Sequence, residues 1–189
     1  MHNRTALPAI WEIPDDLWQI IEEVLPPRKP SHTRGRPQLC FRRVLTAITY
    51  VLSTGCQWKQ LRWEGGSSSS VHRYFQQWVK QGVFEQLWVK LLEFYDSEVG
   101  IEWRWLSADG TMVKSPLGGT ETGASPTDRG KLGTKRHIVV DGRGVALSVE
   151  VASANTPDMR LLELALDSIV IERPDPRQTQ AQQMQLDKG

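Results

Sequence analysis

The sequence has little cysteine, no long apolar run and almost no net charge. Its 189 residues include only two cysteines, Cys40 and Cys56, and neither belongs to a Cys/His set with zinc-ligand spacing. The printed sequence also shows no secretory-signal pattern ahead of them, which argues against a disulfide-stabilised secreted protein. We therefore expect two core thiols in a reducing cytosol. No apolar run approaches a membrane span, so we expect a cytoplasmic protein with no membrane partner.

The small net charge of +1 conceals a strongly basic stretch in the first half of the chain. Between Arg28 and Lys80 the only acid is Glu64, against ten lysines and arginines, which gives this stretch a local charge of +9. A basic face of this kind favours a polyanion such as DNA as the partner. A solvated surface is the alternative interpretation, although such surfaces normally mix both signs of charge.

Apolar residues at helical spacing predict a helical first half. We expect the first helix to stop at Pro26-Pro27, the second near Gly55 and the third at Gly82. The stretch 65–70, Gly-Gly followed by four serines, suits either a flexible linker or a helix N-cap, and we interpret it as the turn and cap of a helix-turn-helix-like arrangement. The third helix is expected to face outward with His72, Arg73, Gln76, Gln77 and Lys80, and inward with Val71, Phe75, Trp78 and Val79.

After residue 100 the pattern changes to strands. We expect a strand over 103–113, a hairpin of two strands turning at Asp141-Gly142-Arg143-Gly144, a helix from Asp158, and a last strand over 184–186. The apolar side of that helix is expected to carry Leu161, Leu162, Leu164, Ala165 and Ile169. A strand–helix–strand crossover would make the last strand parallel to an earlier one.

Two acids follow apolar residues at the predicted strand tips. Asp109 lies in the first strand and Asp187 follows the last, so the two carboxylates would meet if these strands are neighbours. Paired carboxylates are typical of divalent-metal sites for phosphoryl chemistry. Each Asp precedes a turn-like sequence, and taken singly a structural role is the commoner one. The segment 114–136 is rich in glycine and basic residues, which suits either phosphate contacts or a plain surface loop.

Several motifs carry a resemblance to a known family. They are Asp109-Gly110-Thr111, the run 127–136 (TDRGKLGTKR), Val140-Asp141-Gly142-Arg143-Gly144, and Ala154-Asn155-Thr156-Pro157-Asp158. Together with 54–58 (TGCQW) and 71–78 (VHRYFQQW) in the first half, they resemble bacterial insertion-sequence transposases of the DDE type, specifically the insertion-sequence-five family. The likeness runs from about residue 13 to residue 189.

The resemblance implies an α+β protein with two domains. Residues 1–100 would form a helical DNA-binding domain, and residues 101–189 the first part of an RNase H-like catalytic domain. The implied activity is Mg²⁺-dependent cleavage and joining of DNA strands at transposon terminal inverted repeats, with Mn²⁺ as a substitute. Asp109 and Asp187 match the two catalytic, metal-binding aspartates. The residues expected to contact DNA are Arg34, Arg36, Arg42, Arg43, His72, Arg73, Gln76, Gln77, Lys80, Arg129, Lys131, Lys135 and Arg136.

The family's catalytic Glu is expected well downstream of Asp187, where this sequence has no residues. Glu163 and Glu172 fall on the crossover helix and its exit, where a third ligand does not belong. We therefore expect the chain to be truncated before this Glu and inactive alone, as the upstream product of a split or frameshifted gene. A non-catalytic DNA-binding regulator and an inactive fragment are the alternatives. The assembly would be a homodimer or a complex with the downstream product.

Overall fold

The computed structural model describes residues 12–30, 37–175 and 181–186. The chain divides into two compact units, one up to Leu91 and one from Leu92 onward. We call them the helical unit and the sheet unit. The division falls inside a helix, and the predicted boundary after residue 100 comes just past that helix's last residue, Glu98.

The helical unit is built from helices that begin and end close to the predicted signals. Two aspartates occupy the first turn of the first helix, and Gly55 closes the second with a φ of 66° and an N–H donated to the Val51 carbonyl. Ser67 caps the third helix because its hydroxyl accepts the Ser70 N–H at 3.2 Å, which confirms the cap. The bounds are α1 Asp15–Val24, α2 Phe41–Thr54, a 3₁₀ turn Trp58–Gln60, α3 Ser68–Lys80 and α4 Val83–Glu98.

An aromatic cluster forms the centre of the helical unit. The Trp78 side chain is fully buried, and its ring meets that of Phe41 edge-on at a centroid distance of 5.4 Å. Three inward predictions for α3 hold, since Val71 and Trp78 are buried and Phe75 packs against the core, but Val79 is 46% exposed and its prediction is wrong. The position of Val79 follows from helix geometry, because residues 71 and 78 lie two turns apart on one face and residue 79 lies a further 100° round.

The cysteines differ in environment. Cys56 is half-buried and packs against the core of the helical unit, as expected of a core thiol. Cys40 is exposed, so the expectation is wrong there. It directly precedes α2, where the chain is still extended, and its side chain is not on the face that the helix buries.

The sheet unit contains a mixed sheet with one helix against it. Two parts of the glycine-rich basic segment, for which phosphate contacts and a plain surface loop were both left open, belong to strands β2 and β3, because the backbone groups there pair with neighbouring strands. On the helix, Leu161 and Ala165 are buried as predicted, whereas Leu164 is 46% exposed, contrary to prediction. The bounds are β1 Trp105–Lys114, β2 Gly123–Ala124, β3 Leu132–Val140, β4 Ala146–Ser153, α5 Asp158–Asp167 and β5 Gln183–Leu186.

The strand pairing places the last strand beside the first. β1 pairs antiparallel with β3, β3 pairs antiparallel with both β2 and β4, and β5 pairs parallel with β1. The predicted parallel crossover is confirmed, with Ala108 opposite Leu186. Helix α5 packs on β3 and β4. This topology brings the middle of β1, the N-terminal part of α5 and the end of β5 to one place.

Candidate functional site

A small pocket of about 170 Å³ lies where β1, β3, α5 and β5 come together. Asp109, the acid singled out in the sequence, is one of the residues that line it. β1 supplies the floor of the pocket and the first turns of α5 form a wall. The lining residues are Ala108, Asp109, Gly110, His137, Asp158, Met159, Leu162 and Leu186.

Asp109 is exposed and follows the buried Ala108, so it stands at the point where β1 leaves the core. Its register partner on β3 is Ile138. Asp187, the second predicted metal ligand, lies outside the described residues. The residues that precede the two acids, Ala108 and Leu186, are paired across the parallel strands.

Gly110 keeps open a space between β1, β3 and α5. A Cβ at this position would lie 3.2 Å from His137 Nδ1 and 3.3 Å from Asp158 Oδ1. Both contacts are tighter than nine in ten real Cβ contacts. A glycine at residue 110 therefore lets a polar atom from β3 and one from α5 face the same space.

Lys135 of β3 forms an ion pair with Asp158, the first residue of α5. The Lys135 ammonium donates to Asp158 Oδ1 at 2.9 Å and to the Thr156 carbonyl at 3.0 Å. Lys135 is only 7% exposed, so its charge is satisfied inside the unit. The sequence grouped Lys135 with the residues that contact DNA, and the structure instead places its ammonium against the pocket's carboxylate.

The sequence analysis did not single out His137 or Asp158 as site residues. The signal that could have identified His137 is the alternation of side chains along β3. Gly133, Lys135, His137 and Val139 share one face of the strand, and all four are buried. Charged and imidazole side chains on the inward face of a strand are unusual enough to suggest a polar site. The sequence does not reveal which residue of α5 meets them.

Within the described ranges, no group of three His, Cys, Asp or Glu side chains is arranged to hold a metal ion. The pocket lining includes two aspartates, but Asp109 pairs with Ile138 and Gly110 with His137, so the Asp109 side chain lies on the opposite face of the sheet from His137 and Asp158. Mg²⁺ commonly takes one or two protein carboxylates and fills its remaining positions with water or substrate phosphate oxygens. The exposed carboxylate of Asp109 therefore fits one ligand of a hard divalent cation.

The predicted DNA-contacting residues of the sheet unit fall into two groups. Arg129 and Arg136 are exposed, and Arg129 adopts a left-handed φ of 52° in its turn. Lys131 is also exposed, but its ammonium lies 3.6 Å from Asp128, and Lys114 lies 3.2 Å from the other oxygen of the same carboxylate. The hydrogen bond from Lys114, with the charge of Lys131 beside it, lowers the pKa of Asp128.

In the helical unit the predicted outward face of α3 is largely as expected. Arg73, Gln76, Gln77 and Lys80 are exposed. His72 is half-buried, and its ring stacks on Trp58 at a centroid distance of 4.8 Å, so its outward placement is wrong.

The two described arginines before α3 that were predicted to contact DNA also differ in exposure. Arg43 is exposed, while the Arg42 guanidinium pairs with Asp15 at 2.5 Å and donates to the Ile13 carbonyl, which ties α2 to the start of α1. Arg34 and Arg36 lie outside the described residues. A polar groove of about 500 Å³ runs beside α3, lined by Lys29, Pro37, Gln38, Leu39, Ser70, Arg73, Tyr74 and Gln77.

None of the helices in the described part of the chain is both long and apolar enough to cross a membrane.

Two family models match the chain. One, described as "Putative transposase of IS4/5 family", covers residues 13–88, and the other, "Transposase DDE domain", covers residues 104–176. The first therefore matches within the helical unit and the second within the sheet unit. Their order along the chain is the order of the two regions in the resemblance.

Three curated relatives come from two bacteria, Burkholderia cepacia and Sinorhizobium fredii. An uncharacterized 16.2 kDa protein of insertion element IS402 from Burkholderia cepacia is 33% identical over 118 residues, which is 60% of this chain and 80% of the relative. The uncharacterized protein y4sN of Sinorhizobium fredii (strain NBRC 101917 / NGR234) is 27% identical over 103 residues, 53% of this chain and 74% of the relative. A protein named "Putative transposase for insertion sequence element IS402", also from B. cepacia, is 40% identical over 52 residues, 28% of this chain and 25% of that protein. No solved structure gives a significant match.

Proposed function

This chain belongs to the insertion-sequence transposases of the DDE type, and we propose that it binds transposon-end DNA through its helical unit and places Asp109 in a metal-dependent strand-cleavage site. The family gives the chain a role in DNA transposition. The observation that carries the finer proposal is the exposed carboxylate of Asp109 on β1, directly after the point where Ala108 pairs with Leu186 of the parallel strand β5.

The charge distribution supports DNA binding by the helical unit. Arg43, Arg73 and Lys80 keep their charges at the surface, and the stretch from Arg28 to Lys80 has only one acid. Phosphate contacts by lysine and arginine supply much of the affinity of proteins for duplex DNA. The terminal inverted repeats of the element are the proposed target.

The strand chemistry rests on carboxylates that hold a divalent cation. A bound Mg²⁺ or Mn²⁺ supplies Lewis-acid stabilisation of phosphate oxygens and lowers the pKa of bound water. Asp109 is the proposed first ligand. Asp187 is retained as a proposed ligand on the strength of the resemblance, and the pairing of Ala108 with Leu186 agrees with that assignment.

A DNA-binding regulator of transposition is the second candidate. It is favoured by the lack, among the described residues, of any group of three side chains arranged to hold a metal. Such a protein would occupy transposon ends without cutting them, and it would need the helical unit alone.

The test measures binding and cleavage on the same transposon-end duplex. We expect the logarithm of the binding constant to fall with the logarithm of salt concentration at a slope of about −4 to −5, as for roughly five phosphate contacts. A flat titration would contradict DNA binding.

Cleavage with Mg²⁺ or Mn²⁺ is then measured on the same duplex. The 189-residue chain is expected to bind and not to cleave, because a two-carboxylate site holds a second cation poorly. Metal-dependent cleavage that Asp109→Asn abolishes would show that these residues suffice for the chemistry. Binding without cleavage is expected of both candidates. Divalent-cation binding that Asp109→Asn removes would then favour the transposase, and DNA binding by a chain that holds no divalent cation would favour the regulator.

A further inference from the structure

Two concave surfaces of the helical unit differ in charge. One is the groove of about 500 Å³ beside α3, which we call the α3 groove. Its described lining residues include two cations, Lys29 and Arg73, and no acid. The other, of about 300 Å³, has Glu12 and Glu64 in its lining beside two arginines. Because carboxylates repel phosphate, the α3 groove is the better match for a polyanion such as DNA.

The two walls of the α3 groove come from different parts of the chain. One wall is a stripe of α3 in which Ser70, Arg73 and Gln77 recur at helical spacing. The other wall is formed by residues 29 and 37–39, which lie between α1 and α2. The Lys29 N–H donates to Gln38 Oε1 at 3.0 Å and so ties the two parts of this wall together. The groove therefore has one cation on each wall.

The polar side chains of the α3 groove are of the types that contact a DNA backbone. Phosphate and sugar contacts in protein–DNA complexes come from arginine and lysine and from the hydroxyls and amides of residues such as serine, tyrosine and glutamine. Ser70, Arg73, Tyr74 and Gln77 supply four of these types. Ser70 also belongs to the first turn of α3, which contains no acid, and the positive end of the helix dipole favours an anion there.

We propose that the α3 groove holds the sugar–phosphate backbone of one DNA strand. Lys29 and Arg73 contact phosphates from its two walls, and Gln77 donates a hydrogen bond to the same strand. Such a contact supplies affinity and register without reading the sequence, because the backbone is chemically the same at every step. This placement rests on the proposed function, since it assumes that the helical unit binds DNA.

The test compares salt titrations of the full 189-residue chain on a transposon-end duplex and on a duplex of scrambled sequence. Lys29→Ala and Arg73→Ala should each reduce the magnitude of the salt slope by about 1 and weaken binding to both duplexes by the same factor. The charge-matched control is Arg62→Ala, because Arg62 is exposed in the same basic stretch and does not line the groove. This control should leave the slope and both affinities unchanged.

Two adjacent glutamines of α3 test the groove without a change of charge. Gln76 and Gln77 are both exposed, but only Gln77 is among the described residues that line the groove. Gln77→Ala should weaken binding to both duplexes about three- to tenfold at an unchanged salt slope, as expected for the loss of one hydrogen bond. Gln76→Ala should bind like the unaltered chain. Equal losses in the two variants would overturn the proposal, because the contact would then not be specific to the groove.

The charged variants also separate the groove from DNA binding as a whole. If the unaltered chain binds neither duplex, the proposed DNA binding itself is wrong. If it binds, but either Lys29→Ala or Arg73→Ala keeps its slope and affinity, only the groove is overturned. The same conclusion follows if Arg62→Ala weakens binding as much as they do.

A loss confined to the transposon-end duplex would overturn the proposal in another way, because the groove would then read bases and not hold a backbone. Circular dichroism checks that each variant is folded. All five substituted side chains are exposed, and alanine favours the helical conformation of α3, so the variants are expected to fold.

Discussion

The two units bury different kinds of side chain. The buried residues described in the helical unit are hydrophobic, with Trp78 and Ile48 fully enclosed, while its lysines and arginines stay partly or fully exposed. The sheet unit buries polar and charged residues as well: Ser125, Lys135, His137, Asp141 and Ser148. Burying a polar group costs free energy unless it is hydrogen-bonded, and burying a charge costs more. The helical unit thus combines an apolar core with a charged surface, and the sheet unit accepts that cost at several places, among them the hairpin turn at Asp141 and the ion pair of Lys135 with Asp158.

The largest effect is expected from removing the centre of the hydrophobic core. Trp78 is fully buried and its ring lies within 6.4 Å of those of Phe41, Tyr74 and Phe84. Trp78→Ala should lower the free energy of unfolding of the helical unit by about 3–5 kcal/mol, through lost burial and the cavity left behind. Urea denaturation followed by circular dichroism at helical wavelengths measures this change.

The neighbouring residue supplies the matched control. Val79 is on the same helix but 46% exposed, so Val79→Ala should change the free energy of unfolding by no more than about 0.5 kcal/mol. Equal losses in both variants would contradict the contrast between a tightly packed core face and a solvated face of α3.

In the sheet unit the comparable test removes a buried carboxylate. Asp141 is 2% exposed and accepts three backbone N–H groups, from Arg143 at 2.9 Å, Val145 at 2.8 Å and Glu102 at 3.1 Å. Asp141→Ala should cost about 2–4 kcal/mol because three part-buried backbone donors lose a charged acceptor. Thermal unfolding followed at strand wavelengths measures the loss.

Asp141→Asn refines this test. The amide keeps one oxygen acceptor and places an NH₂ group where the second oxygen was, so the stability of this variant should fall between that of the unaltered chain and that of Asp141→Ala. An Asn variant as unstable as the Ala variant would mean that both carboxylate oxygens are required. An Ala variant as stable as the unaltered chain would mean that polar burial is not what holds the sheet unit's hairpin turn.

Much of the fold was predictable because local signals and global packing agree. Ser67 caps α3 and Gly55 ends α2 through backbone geometry that short sequences encode. The parallel placement of β5 beside β1 followed from the strand–helix–strand order. The predicted position of Asp109 at a strand tip is wrong, because β1 continues to Lys114 through its pairing with β3 and leaves Asp109 in the middle of the strand.

The rest of the pocket depends on contacts that sequence spacing does not specify. Lys135 looks like one more cation in a basic segment until β3 turns it inward toward Asp158. His137 and Asp158 are distant in sequence, and only the packing of α5 on β3 brings them to the space over Gly110. His72 was misplaced because the sequence gives no sign of the Trp58 ring that stacks on it.

A smaller effect is expected at the surface of the helical unit. Arg73 and Lys80 are exposed on α3, so replacing both with Ala should weaken DNA binding and reduce the magnitude of the salt slope by about 2, with folding unchanged. The measurement is the same salt titration on transposon-end duplex. Unchanged affinity would move the contact surface to the segment between Arg28 and Arg43.

The smallest effect is expected at an exposed ion pair of the sheet unit. Lys114 donates to Asp128 and, with Lys131 nearby, holds the pKa of Asp128 below its ordinary value of 3.8. A carboxylate whose folded pKa is depressed stabilises the fold above the unfolded pKa, and loses that contribution as the pH falls through the folded value. Asp128→Asn should therefore lower the melting temperature slightly at neutral pH and make no difference once the pH is well below 3.8. Thermal unfolding of both proteins across this range measures the difference, and a gap that stays constant from neutral to strongly acidic pH would contradict an electrostatic origin. Because the lysines are exposed, the gap at neutral pH should also shrink as salt is added.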